Sequence, residues 1–312
     1  MAFTNASGYN NLAQGNFTPQ IFSQKVQKFF RRASVVEDIT NTDYAGEIEN
    51  FGDTVKIIKE PTITVKDYAR GQTVDTQILA DDQITMTVDQ GSYFAFKVDD
   101  IEERQSHVNF EALATSSGAY SLKKAYDYNV LKFIYDNAST SASDTGTDGS
   151  PIDGDAAVDT LADVVSSAKK VLDKNDVPEE NRWLVAPPEF FQQLRKAGAK
   201  LSDQSVMADG GASQIRNGMV TDKPLFGFNM YSTNAIAVSS GSAASHTFGS
   251  SGSNEFAFLY GHMSGVATVN DIAITELIRD PDSFADVVRG LHVYGRKILR
   301  SEAVRSGVIT IG

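Results

Sequence analysis

The sequence contains no cysteine and few of the residues on which most active sites depend. Without cysteine the chain forms neither disulfides nor thiolate metal sites, so its stability must come from packing and assembly. Its four histidines are His107, His246, His262 and His292. None has the i, i+4 spacing of a helical metal pair, and we expect each to be a surface or packing residue.

Long apolar runs and an excess of basic residues are absent as well. No stretch approaches the ~20 apolar residues of a membrane span, and the N-terminus lacks the charged and apolar regions of a signal peptide. We expect a soluble cytosolic product with no membrane partner. The formal net charge of −12 argues against tight nucleic-acid binding, because such binding requires clustered lysine and arginine.

The remaining patterns of catalytic chemistry are weak. Adjacent acids such as Asp99-Asp100 and Glu179-Glu180 point to different sides of a strand or helix, so solvated faces explain them better than glycosidase carboxylates or cation ligands. The glycine-rich stretch at 210–213 lacks the lysine of a phosphate loop. We therefore assign no catalytic, cofactor-binding or metal-binding residue.

What the sequence does contain is an extended β segment. Residues 53–65 and 83–98 have the period-two, β-branched and aromatic pattern of strands, with a polar, acidic turn region between them. Each strand could reach roughly 40 Å, and a lone two-stranded ribbon of that kind is marginal in water. We expect another copy of the same chain to cover it.

The N-terminal segment is basic and amphipathic. The first 36 residues contain no acid, and a helical pattern starts at Pro19. Its apolar stripe, with i, i+4, i+7, i+8 spacing, consists of Phe22, Val26, Phe29 and Phe30. The cations, mostly on other faces, are Lys25, Lys28, Arg31 and Arg32. Packing on the protein's own core and docking to an acidic partner both remain open.

Downstream, helices and strands alternate. Residues 109–137 form a proline-free helical pattern with apolar residues on more than one side, in which Gly118 costs up to about 1 kcal/mol and permits a bend. Residues 139–150 have the composition of a linker. The elements predicted after it are a helix over 155–172, a buried strand over 182–186 that contains Trp183, a helix over 189–197, strands over 227–232 and 255–260, and an antiparallel pair over 286–297 and 303–311.

This order of parts resembles the major capsid protein of tailed bacteriophages, with its Hong Kong 97-like α+β fold, over essentially the whole chain. The local phrases that carry the resemblance are of podophage and cyanophage type: Pro19–Val26, Gly52–Val55, Trp183–Phe191 and Lys223–Ser232. The implied division is an N-terminal arm with an amphipathic helix (1–49), an E-loop β extension (50–98), a P-domain with a spine helix (99–150, completed by about 271–312), and an A-domain (151–270).

The resemblance implies a structural protein of the virion, assembled in the host cytoplasm. Pentamers and hexamers of the chain would tile an icosahedral shell that encloses double-stranded DNA without sequence-specific binding and includes a portal protein. Only about 18 residues precede the first helix, so we expect a separate scaffolding protein, contacted by Lys25, Lys28, Arg31 and Arg32. Lysines at 56, 59 and 66 have no local motif that identifies covalent crosslinks.

The implied contacts between subunits fall on three segments. The candidate residues are Phe22, Val26 and Phe29 in the N-terminal arm, Lys66, Tyr68 and Arg70 at the E-loop tip, and Asp209 to Arg216 in an A-domain loop. Three alternatives stay open: an encapsulin-type nanocompartment shell, an uncharacterised soluble enzyme, and a tail-tube or adhesin component.

Overall fold

The computed structural model of the chain describes residues 34–44, 54–61, 63–74, 76–78, 83–100, 110–141, 143–147, 150–154, 160–194, 226–236, 255–281 and 283–311. The helices in these ranges are α1 (Val36–Ile39), α2 (Phe110–Asn137), α3 (Thr160–Lys174) and α4 (Pro188–Leu194). The strands are β1 (Thr54–Ile58), β2 (Gln83–Thr87), β3 (Gln90–Asp99), β4 (Ser139–Thr140), β5 (Ile152–Asp153), β6 (Arg182–Ala186), β7 (Asn229–Ser232), β8 (Glu255–His262), β9 (Val266–Arg279), β10 (Ala285–Ile298) and β11 (Val304–Thr310).

Within the described ranges these strands form three sheets. The largest has six strands in the order β4-β11-β8-β6-β7, with β5 also paired to β11. It is mixed, because β6 runs parallel to β7 and antiparallel to β8. A three-stranded antiparallel sheet has the order β3-β10-β9, and β1 and β2 form an antiparallel ribbon.

The six-stranded sheet has a helical layer on each face. On one face, Leu161 and Val165 of α3 and Phe190 of α4 pack with Phe258 and Tyr260 of β8 in one buried cluster. On the other face, a second cluster brings α1 and α2 against β6 and β8. Every residue of β6 is buried, as expected for a central strand covered on both sides.

Helix α2 packs on both larger sheets. Its C-terminal half places Val130 and Ile134 against Trp183 in the six-stranded sheet. Further towards its N-terminus, the Tyr126 ring meets the rings of His292 and Tyr294 in β10, with centroids 5.3 and 4.9 Å apart. The helix predicted over 109–137 is confirmed from residue 110 onward, and it runs unbroken through Gly118.

Gly118 has a packing role that explains its place in the helix. A Cβ added there would lie 2.9 Å from the Phe94 ring, and one added at Gly290 in β10 would lie 2.3 Å from the same ring. Phe94 of β3 is therefore held between two glycines, one in the helix and one in the sheet. This close approach replaces the bend that the sequence permits.

Several predicted elements are confirmed at once by the sheet and its helices. The strand over 182–186 has the predicted bounds, and Trp183 is a core residue with 1% of its surface exposed. The strands predicted over 227–232 and 255–260 appear as β7 and β8. Helices α3 and α4 fall within or beside their predicted spans, whereas residues 155–159 and 195–197 lie outside the described part of the chain.

The predicted pairing of the last two strands is wrong. Both strands exist, but β10 pairs with β3 and β9, whereas β11 pairs with β8, β4 and β5. The 3-10 turn at Ser301–Ala303 separates them and leads the chain from one sheet to the other. Local periodicity identifies a strand without identifying its partner, and the periodic strand β9 was itself not predicted.

The stretch over 139–150 is not a free linker. Its β4 residues pair with β11, Thr145 is buried, and the Val308 amide donates to the Thr145 carbonyl over 3.1 Å. Gly146 has φ = 77°, and a Cβ there would lie 2.2 Å from the Val308 carbonyl oxygen. Its small polar residues allow this close approach of backbone to backbone.

Arg182 fixes the entry to β6. Its side chain is 2% exposed, and its guanidinium donates to the Asp173 carboxylate over 2.7 Å and to the Val177 and Pro178 carbonyls over 2.5 and 2.8 Å. These contacts hold the end of α3 to the start of the strand.

Among the described residues, no helix is long and apolar enough to cross a membrane.

Arg182→Ala is expected to destabilise the unassembled chain by about 3 kcal/mol, because it leaves two carbonyls and Asp173 without their buried donor. The matched control is Arg289→Ala, which removes an exposed ion pair with Glu276 and should cost at most about 1 kcal/mol. Urea unfolding followed by the fluorescence of the single tryptophan, Trp183, measures both. Equal costs for the two variants would contradict the assigned role of Arg182.

Gly118→Ala is expected to destabilise the chain by about 1 kcal/mol, because crowding of Phe94 outweighs the gain of about 1 kcal/mol in helix propensity. In a Phe94→Leu background the same substitution should become neutral or stabilising. Gly91→Ala serves as the control, since nothing lies within 4 Å of a Cβ at that position. Urea unfolding of the natural chain, the two single variants and the double variant gives the double-mutant cycle. Stabilisation by Gly118→Ala alone would contradict the close packing of Phe94 between Gly118 and Gly290.

Candidate subunit interface

The most exposed apolar segment described is the ribbon β1–β2 with the chain between its strands, which we call the arm (54–61, 63–74, 76–78 and 83–87). Thr54 pairs with Thr87 and Ile58 with Gln83, so the ladder ends at residue 58. Beyond it, the Thr64 amide donates to the Gln77 side chain over 2.9 Å. Ala69 to Gln72 form a turn closed by a 3.0 Å backbone hydrogen bond, with Gly71 at φ = 87°.

The arm exposes large apolar side chains along its length. Their exposed fractions lie between 69% and 93%, and the residues are Ile58, Ile63, Val65, Tyr68, Val74 and Ile78. Isolated exposed apolar residues are normal on a protein surface, whereas six within residues 58–78 of one arm indicate a surface that a partner covers.

The strand prediction over 53–65 and 83–98 is only partly right. The first strand ends at Ile58. The second is divided at Val88 and Asp89 into β2, which pairs with β1, and β3, which pairs with β10. Residues 90–99 therefore belong to the three-stranded sheet and have a partner within the chain.

The base of the arm is anchored on that sheet. Met86 and Val88 are buried against Ala267, Val269 and Val293 in a small apolar cluster. A Cβ at Gly295 would lie 2.8 Å from the Thr87 carbonyl oxygen, so glycine lets the end of β2 lie directly on β10. The arm thus leaves the body from a fixed point.

The three-stranded sheet has an exposed side that is partly apolar, which we call the outer sheet face. One row across the sheet consists of Tyr93, Leu291 and Ile274, paired through β3, β10 and β9. Their exposed fractions are 78%, 42% and 48%. Together with Ala95 and Val287 they line a cavity with a volume of about 570 Å³. Arg289 and Glu276 also line it, and their side chains form an exposed ion pair with a nitrogen–oxygen distance of 2.7 Å.

One end of the same sheet is charged. Arg279 donates to Asp100 over 2.5 Å and to Asp286 over 3.0 Å, and Lys97 pairs with Asp280. The hydrogen bonds from Arg279 to Asp100 and then to Asp286 raise the pKa of this guanidinium above its usual range. Exposed ion pairs of this kind contribute little to stability but restrict which surfaces can meet this end.

The structure places some of the expected contact residues and leaves others outside its described part. Lys66, Tyr68 and Arg70 are exposed and lie beside the turn at the far end of the arm, as expected for its tip. The N-terminal candidates Phe22, Val26, Phe29, Lys25, Lys28, Arg31 and Arg32, and the loop candidates Asp209 and Arg216, lie outside the described residues.

Sequence reasoning did not identify the outer sheet face. Its signal was the alternation of apolar residues in 272–278, but the pairing of β9 with β10 and of β10 with β3 was needed to align the rows.

Of the histidines, His262 caps a 3-10 turn through the Ser264 amide and His292 stacks on Tyr294. Burial lowers the pKa of both imidazoles. In the described ranges, no three His, Asp or Glu side chains form a group that could hold a metal ion.

Solved structures from bacteriophages, two of them of capsids, resemble this chain over most of its length. A structure from Mycobacterium phage Che8 is 29% identical, with a TM-score of 0.78 over 95% of this chain and 98% of that chain. The capsid structure of cyanophage P-SCSP1u is 17% identical, with a TM-score of 0.71 over 100% of both chains. The mature capsid of bacteriophage PhiM1 is 16% identical, with a TM-score of 0.66 over 94% of this chain and 91% of that chain.

These likenesses confirm the Hong Kong 97-like α+β fold expected from the sequence. A search of curated proteins finds no match. Residues 81–306 match the family described as Phage capsid protein. This match favours a structural shell protein over the nanocompartment, enzyme and tail alternatives. Because it covers more than half of the 312 residues, the chain belongs to the phage capsid protein family and is a major capsid protein of the virion shell.

Proposed function

We propose that copies of this capsid protein form pentamers and hexamers of a closed icosahedral shell, with the arm of one copy lying on the outer sheet face of a neighbour. The observation that carries this proposal is the exposure, on one chain, of two apolar surfaces. The arm presents Tyr68 and Val74, and the outer sheet face presents Tyr93 and Leu291. Neither surface has an apolar partner among the described residues.

Energetics support contact between copies. Full burial of one large apolar side chain contributes about 1.5–3 kcal/mol, so several arm residues together offset the cost of ordering the arm on a partner. In a closed shell each copy gives and receives such a contact, so contacts that are weak singly hold the lattice together. The anchored base at Met86 and Val88 reduces the cost further, because the arm already has a fixed origin.

The proposed division of the chain follows the same surfaces. The N-terminal arm comprises 1–49 and the E-loop 50–98. The P-domain comprises 99–150 and about 271–312, and the A-domain comprises 151–270. In this division the outer sheet face belongs to the P-domain and the E-loop supplies β3 as its edge strand. The six-stranded sheet combines the A-domain strands β5, β6, β7 and β8 with β4 and β11 of the P-domain.

The net charge supports a shell that encloses double-stranded DNA without tight contact. At −12, the chain repels phosphate rather than neutralising it, so enclosed DNA keeps its freedom to slide. A separate scaffolding protein with an acidic surface would pair with Lys25, Lys28, Arg31 and Arg32 during assembly. A portal protein completes the proposed set of partners.

Val74→Asp is expected to reduce the yield of closed shells more than tenfold, because it buries a charge where the arm meets its neighbour. The matched control is Thr73→Asp, which adds the same charge at the adjacent exposed polar position and should assemble much better. Electron microscopy after sedimentation counts the shells. Unfolding by urea should be unchanged in both variants, and normal assembly of Val74→Asp would contradict the proposed contact.

Reversing Lys25, Lys28, Arg31 and Arg32 to glutamate is expected to abolish the stimulation of shell assembly by the scaffolding protein. The charge-conserving control replaces the two lysines by arginine and the two arginines by lysine, and should retain the stimulation if net charge governs the contact. Shell yield is measured with and without the scaffolding protein. If the scaffolding protein stimulates the charge-reversed variant as much as the natural chain, the basic N-terminal segment is not the scaffold contact.

A further inference from the structure

A second concave surface lies between α2 and the three-stranded sheet, on the side opposite the outer sheet face. It has a volume of about 210 Å³, and we call it the helix groove. Helix α2 contributes Ala119, Leu122 and Tyr126, and the sheet contributes Phe94, Thr275 and His292. Its walls are thus mostly apolar and aromatic, and among the described residues no side chain fills it.

The described chain begins beside this groove. The Ser34 hydroxyl donates to the buried Asp127 carboxylate of α2 over 2.5 Å. Glu37 of α1 then pairs with Lys123 over 3.2 Å. Both Glu37 and Lys123 line the groove. The segment that precedes Ser34 therefore joins the body within one or two helical turns of the groove wall.

The N-terminal stripe of Phe22, Val26, Phe29 and Phe30 has the dimensions of this groove. In a helix it spans eight residue steps, or about 12 Å, and the wall from Ala119 to Tyr126 spans seven steps, or about 10 Å. Only three residues lie between Phe30 and Ser34, so the four steps from one to the other reach at most about 14 Å. Such a short tether gives an effective concentration near the millimolar range, which favours the chain's own segment over a neighbour's.

Charge at the rim fits the same occupant. The segment has four cations and no acid before Glu37, and the nearby body offers the exposed acids Glu37 and Asp38 on α1. Lys123, the one lysine or arginine among the described residues that line the groove, is paired with Glu37. With the stripe turned inwards, the basic residues lie on the faces turned away from α2.

We propose that residues 19–33 fold back as a helix and dock their apolar stripe into the helix groove of the same chain. Docking covers the half-buried side chains of Leu122 and Phe94 and presents Lys25, Lys28, Arg31 and Arg32 outwards. This goes beyond the proposed shell contacts, because it takes place within one chain and needs no neighbour. The N-terminal segment is then a part of the P-domain surface, and its cations have a fixed orientation for an acidic partner.

The absence of cysteine allows a direct test by engineered disulfides. Leu122→Cys is combined in turn with Phe22→Cys, Val26→Cys or Phe29→Cys in the full chain, and each pair is oxidised before assembly. At least one pair is expected to form an intramolecular disulfide, since such a bond requires Cα atoms about 4.4–6.8 Å apart. The yield should exceed that of the controls more than tenfold, as measured by non-reducing electrophoresis and peptide mass spectrometry.

Two control pairs test which side of the N-terminal helix faces which side of α2. Gln24→Cys lies on the opposite side of the predicted helix from the stripe, and Ser117→Cys is exposed on the side of α2 away from Leu122. Pairing Gln24→Cys with Leu122→Cys, or Val26→Cys with Ser117→Cys, should give no specific disulfide. Dimers linked through stripe cysteines would show docking between chains and overturn the proposal, as would equal yields in the controls.

Limited trypsin digestion gives a second measurement in case the cysteine geometry is unfavourable. Leu122→Asp is expected to speed cleavage after Lys25 and Lys28 about tenfold or more, because it removes the apolar wall that holds the stripe. Ser117→Asp is the control and should leave the rate unchanged. Unchanged cleavage in Leu122→Asp, together with no stripe disulfide, refutes docking. Shell formation by the Ser117→Asp chain, scored separately by microscopy, tests the proposed function independently.

Discussion

The two-sided packing of α2 is the contact on which the rest of the structure depends. Its C-terminal half closes one face of the six-stranded sheet through Val130 and Ile134, and its preceding turns close the three-stranded sheet through Tyr126 and Gly118. A helix that served one sheet would need one apolar stripe, whereas α2 needs apolar or small residues on several sides. Its mixed pattern follows from this double contact, and so does the fixed geometry between the two sheets.

Strand β10 connects the base of the arm to the packing of α2. Val293 packs on Met86 and Val88 at the base of the arm, and the next residue, Tyr294, packs on Tyr126 of α2. The register of β10 against β9 shifts between these two residues. Successive side chains of a strand point to opposite faces, so Val293 faces the arm and Tyr294 faces α2, and the irregularity between them bends the strand at this point. The direction of the arm and the seating of α2 are therefore set at one place in β10.

Local signals in the sequence were enough to identify most elements. The strand Arg182–Ala186 and the helix from Phe110 to Asn137 follow from apolar runs, periodicity and proline placement. Partners of strands did not follow, because period-two alternation is the same whichever strand lies alongside. For this reason the sequence pattern predicts that β10 pairs with β11 and that β3 belongs to the extended β segment, whereas the structure pairs β3 with β10 and β11 with β8. Gly118 shows the same limit, since helix propensity cannot report a ring from a distant strand.

The same limit separates the two surfaces of the candidate interface: local sequence patterns predict one of them and not the other. Exposure of the arm was predictable, because an apolar ribbon of that length has no core of its own within reach in the sequence. The outer sheet face was not, because Tyr93, Leu291 and Ile274 are far apart in the chain and meet only through the registers of three strands. A surface assembled from distant strands depends on the fold being complete before it exists. In the proposed assembly, contacts between copies through this face would therefore form only after each subunit has folded, so the apolar arm would find no partner surface on a partly folded chain.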